Sequence, residues 1–294
     1  MSPAEFPLVS IGFPVYNGEA SMRRALDSLL AQDYPNLELL ISDNGSTDGT
    51  ADICQEYAKK DGRVRYFRSE KNQGQVWNFE HVLDEARGEY FMWTAHDDVW
   101  KPEFVRLLQA DLQAHPEAGV AMSGIDIVDE SGNLVKIVRF TEGKQSPNTF
   151  SAYQLLLRLM TLWGSTSKGH HLYWYGLFRR ELLQRVFPCY YLNTLFGDRM
   201  FVSTMALATR FRYVDQGLYI RTRNTRNFVD RYPDENFARA ARSNLTMLGI
   251  PFRFGSTLWR CALIPAENKW LVPVGVLGML KIILRRMIVS VVSP

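Results

Sequence analysis

Between residues 8 and 122 the chain repeats one pattern: a short apolar run, a cluster of Asn, Asp, Gly and Ser, then a stretch with helical spacing. The apolar runs 8–13, 37–41, 64–67, 90–95 and 119–122 are rich in β-branched and aromatic side chains, which predicts strands. Helices are predicted over 20–32, from about residue 50, over 76–86 and over 102–114. This alternation is satisfied by an α/β fold with a mostly parallel central sheet and helices on both faces. Ligands of such sheets bind outside the carboxyl ends of the strands. Four polar clusters fall at those ends: 14–19, 42–50, 72–75 and 94–98. Turn propensity explains any one of them; four on one edge point to a binding site.

The last cluster is Thr94-Ala95-His96-Asp97-Asp98. Two adjacent carboxylates at the end of a strand suit a divalent cation and, through it, a phosphate. An ordinary acidic turn is the alternative. In the second cluster Gly45 and Gly49 permit tight turning, while Ser46, Thr47, Asp48 and Thr50 are expected to cap the following helix.

The 294 residues, 46% hydrophobic and 22% charged, suffice for one large α/β unit with an extension. Cys54, Cys189 and Cys261 lack paired spacing, which argues for a reducing compartment and against a disulfide framework or zinc site. Residues 1–7 lack the basic start and apolar run of a secretory signal, so a cytoplasmic location is expected. Neither a Walker loop nor a dinucleotide glycine fingerprint is present, and no nucleic-acid partner is expected. Residues 210–294 carry 14 Lys and Arg against 5 Asp and Glu. Apolar runs flank Lys281, Arg285 and Arg286 near the end. The pattern suggests that residues 270–292 form an interfacial helix seating the protein on the inner, anionic face of a cell membrane. A helix packed on the domain or a homo-oligomer contact is the alternative.

Val9-Ser-Ile-Gly-Phe-Pro-Val-Tyr-Asn17, Ile41-Ser-Asp-Asn-Gly-Ser-Thr-Asp48, Asn72-Gln-Gly74 and Arg87-Gly-Glu-Tyr90 followed by Asp97-Asp98 resemble the family 2 glycosyltransferases. The resemblance is dense over 7–125 and thinner to about 225. It implies a GT-A type, Rossmann-like fold over 1–225, with a nucleotide-sugar half (1–124), an acceptor half (125–225) and a helical C-terminal extension (226–294). It implies an inverting, metal-dependent enzyme that moves a sugar from a nucleotide-sugar donor, most naturally a UDP-sugar, to a saccharide or lipid-linked saccharide. Pro14, Tyr16, Asn17 and Glu19 would line the nucleotide pocket, with Asn72 and Gly74 on the same edge. Asp43 would accept a hydrogen bond from the base, beside Asn44 and Ser46. Asp97 and Asp98 would bind Mg²⁺ or Mn²⁺ and the diphosphate. Many members carry another Asp where this chain has Ala95, with His96 next.

Residues 125–148 read as a hairpin, 150–162 as a helix, and 163–169 as either a mobile lid or a plain connection. The aromatics of 173–180 suit sugar stacking or core packing. Asp198 matches the family's catalytic base, although Gly197 replaces the first residue of its acidic pair; a helix cap is the other reading. Where the family often has a His near the end of the resemblance, Arg221 and Arg223 stand, able to pair with a diphosphate or simply to be solvated. A nucleotidyltransferase of similar fold and a catalytically silent binding module are the competing functions.

Overall fold

The computed structural model describes residues 6–139, 149–150, 174–186, 201–202, 204–205 and 208–223. The chain divides into two compact units: Met1–Thr149 with Tyr175–Gln184 and Arg212–Thr225, and Phe150–Trp174 with Arg185–Phe211 and Arg226–Pro294. Most described residues belong to the first. In the second, the described contact is the edge-on packing of Trp174 against Phe201, with ring centroids 4.7 Å apart.

The first half alternates as its sequence requires. Strands β1 (Val9–Val15), β2 (Leu37–Asp43), β3 (Val64–Arg68) and β4 (Tyr90–Trp93) are separated by helices α1 (Met22–Leu30), α2 (Thr50–Lys60) and α3 (Gln75–Asp84). These four strands are parallel, β2 lying between β3 and β1 and β4 on the far side of β1. Every residue of β1, β2 and β4 is buried, as expected for central strands covered on both faces. Gly12 is needed where α3 crosses β1. A Cβ there would meet Phe91 Cζ at 2.7 Å and Val82 Cγ2 at 2.8 Å.

Beyond β4 the sheet changes direction. A short β5 (Val99–Trp100) and α4 (Phe104–Ala114) lead to β6 (Ala118–Val128), β7 (Leu134–Val138) and β8 (Thr149–Phe150). Then follow β9 (Leu177–Arg179), α5 (Arg180–Val186) and the long β10 (Arg210–Thr222). The ten strands run in the order β3-β2-β1-β4-β9-β6-β10-β5, with β7 paired to β6 and β8 to β10. β9 is antiparallel to both β4 and β6, and β5 is antiparallel to β10.

The expected hairpin over 125–148 is β6 and β7, turned by Asp129, whose Oδ1 accepts from the backbone N–H of Ser131 (2.9 Å) and Asn133 (2.8 Å). The aromatic stretch 173–180 contributes β9, a three-residue strand too short for periodicity to reveal. Phe178 is buried there against Trp93, so core packing accounts for that aromatic. Burial of each such ring contributes about 2–3 kcal/mol. Phe150, the first residue of the expected helix 150–162, stands in β8 instead; the rest of that helix, the loop 163–169 and the C-terminal helix lie outside the described residues.

Candidate active site

The carboxyl ends of β1, β2 and β4 meet on one edge. Val15 pairs with Asp43, so β1 and β2 end level. β4 stops opposite Gly12, but the chain continues beside β1 through two bonds from Thr94, its N–H and its Oγ1 each donating to Gly12 O at 2.9 Å. The residues after Thr94 therefore reach the same edge. Pro14 lies past the end of the β1–β4 pairing, where its missing N–H breaks no ladder on that side.

The loops after β1 and β2 are bonded to each other. Asn17 adopts a left-handed backbone (φ 52°), which Asn tolerates better than most residues. Its N–H donates to Ser46 Oγ (2.9 Å), and its side-chain oxygen accepts from the Thr47 N–H (2.9 Å). Gly18 N–H donates to Thr50 Oγ1 (2.9 Å), and the Glu19 carboxylate accepts from Gly49 N–H (2.9 Å). This corrects the expected cap of α2. Its N-cap is Gly49, with no side-chain cap from that residue, because a Cβ there would meet the Glu19 carboxylate at 2.5 Å. Of the four residues expected to cap, Asp48 takes the Thr50 N–H (3.0 Å). Burial opposes the Asp48 charge, but bonds from Thr50 and the Glu19 backbone hold its carboxyl below the ordinary range.

The third loop is locked in the same way. Asn44, 1% exposed, donates through Nδ2 to Asn72 Oδ1 (2.9 Å) and to Gly74 O (3.1 Å), and accepts from Gln73 N–H (2.8 Å). Gly45 has φ 73°, and a Cβ would meet the Lys71 backbone at 2.6 Å. Asn17, Asn44, Ser46 and Asn72 thus spend described polar groups on holding loops together. Asp43, fully buried, accepts from Ser46 N–H (2.8 Å) and Tyr66 Oη (3.2 Å), and Arg68 lies 3.5 Å away. A carboxylate has about four acceptor positions, so little remains for an incoming base. Tyr16, half-buried, is the aromatic side chain of this edge.

The acidic turn is held from two directions. Asp98 is 3% exposed; its oxygens accept from Tyr219 Oη and from the Thr222 N–H (3.0 Å), both on β10. Burial, reinforced by the neighbouring Asp97 charge, raises the Asp98 carboxyl to about 7. From α1, Arg24 Nη2 donates to Thr222 Oγ1 (2.7 Å) and to Asp97 O (3.3 Å), while Ser21 Oγ and His96 Nδ1 lie 3.0 Å apart. Trp100 stacks on Tyr219 at 5.3 Å and Tyr175 tilts against it at 5.6 Å. Arg221, half-buried, lies beside this group on the same strand as Tyr219. Burial opposes its charge, but Tyr219, Asp98, Tyr175 and Asp97 together hold its guanidinium above the ordinary value. Arg223 is exposed; its backbone N–H donates to Val128 O (2.6 Å).

Asp98 is therefore built into the frame, and Asp97 is the half-exposed acid of the pair. No cluster of three or more His, Cys, Asp or Glu able to hold a metal occurs among the described residues. The donors fit a cation shared with a diphosphate better than one caged by protein alone. Asp198 lies outside the described residues. Sequence reasoning missed Arg24, Tyr219 and Thr222, whose roles arise between elements 73 to 124 residues apart.

In an open α/β sheet, interlocked polar loops and an acidic turn at the carboxyl edge mark the place where ligands of this fold class bind. The model of the family described as "Glycosyl transferase family 2" matches residues 10–187, more than half of the chain, and the chain belongs to that family. An uncharacterized glycosyltransferase of Rickettsia felis is 35% identical over 136 residues, 45% of this chain and 22% of its own length. This chain spans half or less of each of the first three curated relatives it matches. S. aureus TarS 1-349 in complex with UDP-GlcNAc superposes with a TM-score of 0.67 at 19% identity, covering 93% of this chain and 72% of that one. The mannosyltransferase PcManGT from Pyrobaculum calidifontis, in complex with GDP-Man and Mn²⁺, gives 0.57 at 16% identity, covering 100% and 77%. At these identities the likeness is one of fold.

Proposed function

We propose that this chain transfers a sugar from a nucleotide-sugar donor, a UDP-sugar first, to a hydroxyl of a saccharide or lipid-linked saccharide, with inversion at the anomeric carbon. One observation carries the reading beyond family membership. The acidic turn and the charged Arg221 lie side by side at a carboxyl edge whose loops are already bonded to one another. Such a prebuilt edge binds without first ordering its loops. TarS and PcManGT, of the same fold, are complexed with UDP-GlcNAc and with GDP-Man and Mn²⁺, which supports a donor of this chemical class.

Position at the carboxyl edge and, for Asp198, the family resemblance support the following roles. Tyr16 offers the base a stacking face. Asp43 holds the loop that receives the base and has at most one acceptor position for it. Asp97, beside Asp98 and His96, is the group to hold Mg²⁺ or Mn²⁺, which when bound neutralises charge developing on the leaving diphosphate. Asp198 serves as the base that takes the acceptor hydroxyl proton. Residues 1–124 form the donor half, 125–225 the acceptor half, and 226–294 an extension whose basic segment 270–292 seats the protein on an anionic surface. No helix among the described residues is long and apolar enough to cross a membrane.

A thermal-shift series with UDP, dTDP, GDP and their sugars, each with Mg²⁺ or Mn²⁺, tests the reading. A ligand present at 100 times its Kd stabilises by about 2.7 kcal/mol. UDP-sugars should give the largest shift, and release of free sugar from that donor should accompany it. Absence of a shift with every nucleotide would refute the proposal.

A further inference from the structure

We propose that the β6–β7 hairpin rests on the hydrocarbon border of a membrane through an aliphatic face built by Leu134, Val135 and Ile137, so that the acceptor brought to this site is a lipid-linked saccharide. The inference rests on the sugar-transfer reading above and deepens it by choosing between its two acceptor classes.

The first observation is where apolar surface is left open. Leu134, Val135 and Ile137, 58%, 45% and 54% exposed, are the exposed large hydrophobic side chains among the described residues, and all three belong to β7. The pairing of β7 gathers them. Ile127 pairs with Lys136 but Val128 pairs with Leu134, so Val135 is an extra residue, a bulge. Paired residues share a face, and alternation along β6 puts Asp126 and Val128 on one face. Their partners Ile137 and Leu134, which a regular strand would set on opposite faces, therefore stand on the same one. The other face holds Ile125 and Val138, both buried. Asp126, the acid on the open face, is matched by Arg139 at 2.8 Å and Lys101 at 3.7 Å.

The second observation is position. β9 is antiparallel to both β4 and β6, so β4 and β6 run the same way. Phe178 of β9 pairs with Phe91 and with Val120, which sets Met122 level with Trp93, the last residue of β4. β6 continues from Ser123 to Val128, about 20 Å more of strand, and the hairpin overhangs the carboxyl edge. It is tied there to the acidic turn. The consecutive N–H groups of Thr222 and Arg223 donate to Asp98 Oδ1 (3.0 Å) and to Val128 O (2.6 Å).

The chemistry of the face selects its occupant. Aliphatic side chains with no ring among them suit hydrocarbon, whereas rings suit the faces of sugars. The bulge and the mid-strand Lys136 blunt the edge against strand pairing with a second copy. An exposed aliphatic face beside the site fits the surface from which a saccharide carried on a lipid is presented.

Flotation of the full chain with phosphatidylcholine vesicles, neutral overall and in 1 M NaCl, is the test. Salt at that level shortens electrostatic reach to about 3 Å, which suppresses attraction through the basic segment 270–292. Wild type should float with the vesicles. The triple variant Leu134→Thr, Val135→Thr, Ile137→Thr keeps strand-forming residues, and its partition should fall by about tenfold or more. Its thermal shift with UDP should equal that of wild type. Val135→Asp, at one exposed position, keeps the test open if the triple variant fails to fold, and should lower partition by about threefold or more. Failure of wild type to float, or equal flotation of wild type and both variants, would overturn the proposal; an intact UDP shift would then spare the sugar-transfer reading. A triple variant that floats normally but changes from dimer to monomer in light scattering would assign the face to a second copy and overturn the proposal as well.

Discussion

Replacing Asp98 by Asn should stabilise the protein in neutral, metal-free buffer, although it removes a residue from the acidic turn. The Asp98 carboxyl is 3% exposed, and burial followed by the Asp97 charge raises it to about 7 from an ordinary value of 3.8. Between those values the unfolded chain has released the proton and the folded chain retains it. The native state then binds more protons, so this group lowers stability as pH rises. The slope is at most about 1.4 kcal/mol per pH unit, and it flattens once the folded carboxyl has ionised near pH 7. An amide avoids the charge. Its oxygen can still accept from Thr222 N–H, and its NH₂ can donate to Tyr219 Oη. Urea denaturation followed by tryptophan fluorescence, at half-unit steps from pH 4.5 to 8.5 in EDTA, measures the difference. Stability of the variant minus that of wild type should grow from pH 4.5 to about 7 and then level off. A difference independent of pH, or one that shrinks as pH rises, would refute the view that burial dominates at this carboxylate.

Glu38 gives the opposite sign: burial opposes its charge, but bonds from Ser10, the Arg87 backbone and Arg65 hold its carboxyl below the ordinary range. Its stabilisation is complete above the unfolded value of 4.5 and is lost as pH falls through the lower folded value, so Glu38→Gln should be destabilising at pH 7 and progressively less so in acid urea titrations. Gly45→Ala places a Cβ 2.6 Å from the Lys71 backbone at φ 73°, and a loss of about 2–3 kcal/mol by urea denaturation is expected. Asp198→Asn should lower kcat by about 10² to 10⁴ and leave the donor Kd unchanged by titration calorimetry, whereas joint loss of binding and folding would make Asp198 a structural cap.

Much of this architecture is local in origin and therefore legible along the chain. Continuous apolar runs become β1, β2 and β4 because both of their faces are covered, and the helical stretches between them force parallel pairing. With parallel strands, the polar clusters at 14–19, 42–50 and 94–98 had to meet at one edge, so the place of the candidate site followed from the sequence alone. The hairpin at 129–133 was equally local, since Asp129 bonds to its own turn.

The use of each side chain was decided by the tertiary structure. By resemblance Asn17, Asn44, Ser46 and Asp43 are ligand contacts, yet much of their hydrogen-bonding capacity serves other loops 28 to 30 residues away or a neighbouring strand. A hydrogen bond between distant residues leaves no periodicity in a sequence. The same holds for Asp98, which resembles its neighbour Asp97 on paper. β10, entering the sheet beside β5 from more than a hundred residues downstream, buries Asp98 under Tyr219 and brings Arg221 beside the pair. Residue type and spacing determined that an edge with polar loops and an acidic turn would exist. Only long-range packing, by burying Asp98 under Tyr219 and leaving Asp97 half-exposed, decided which carboxylate became frame and which kept its chemistry available.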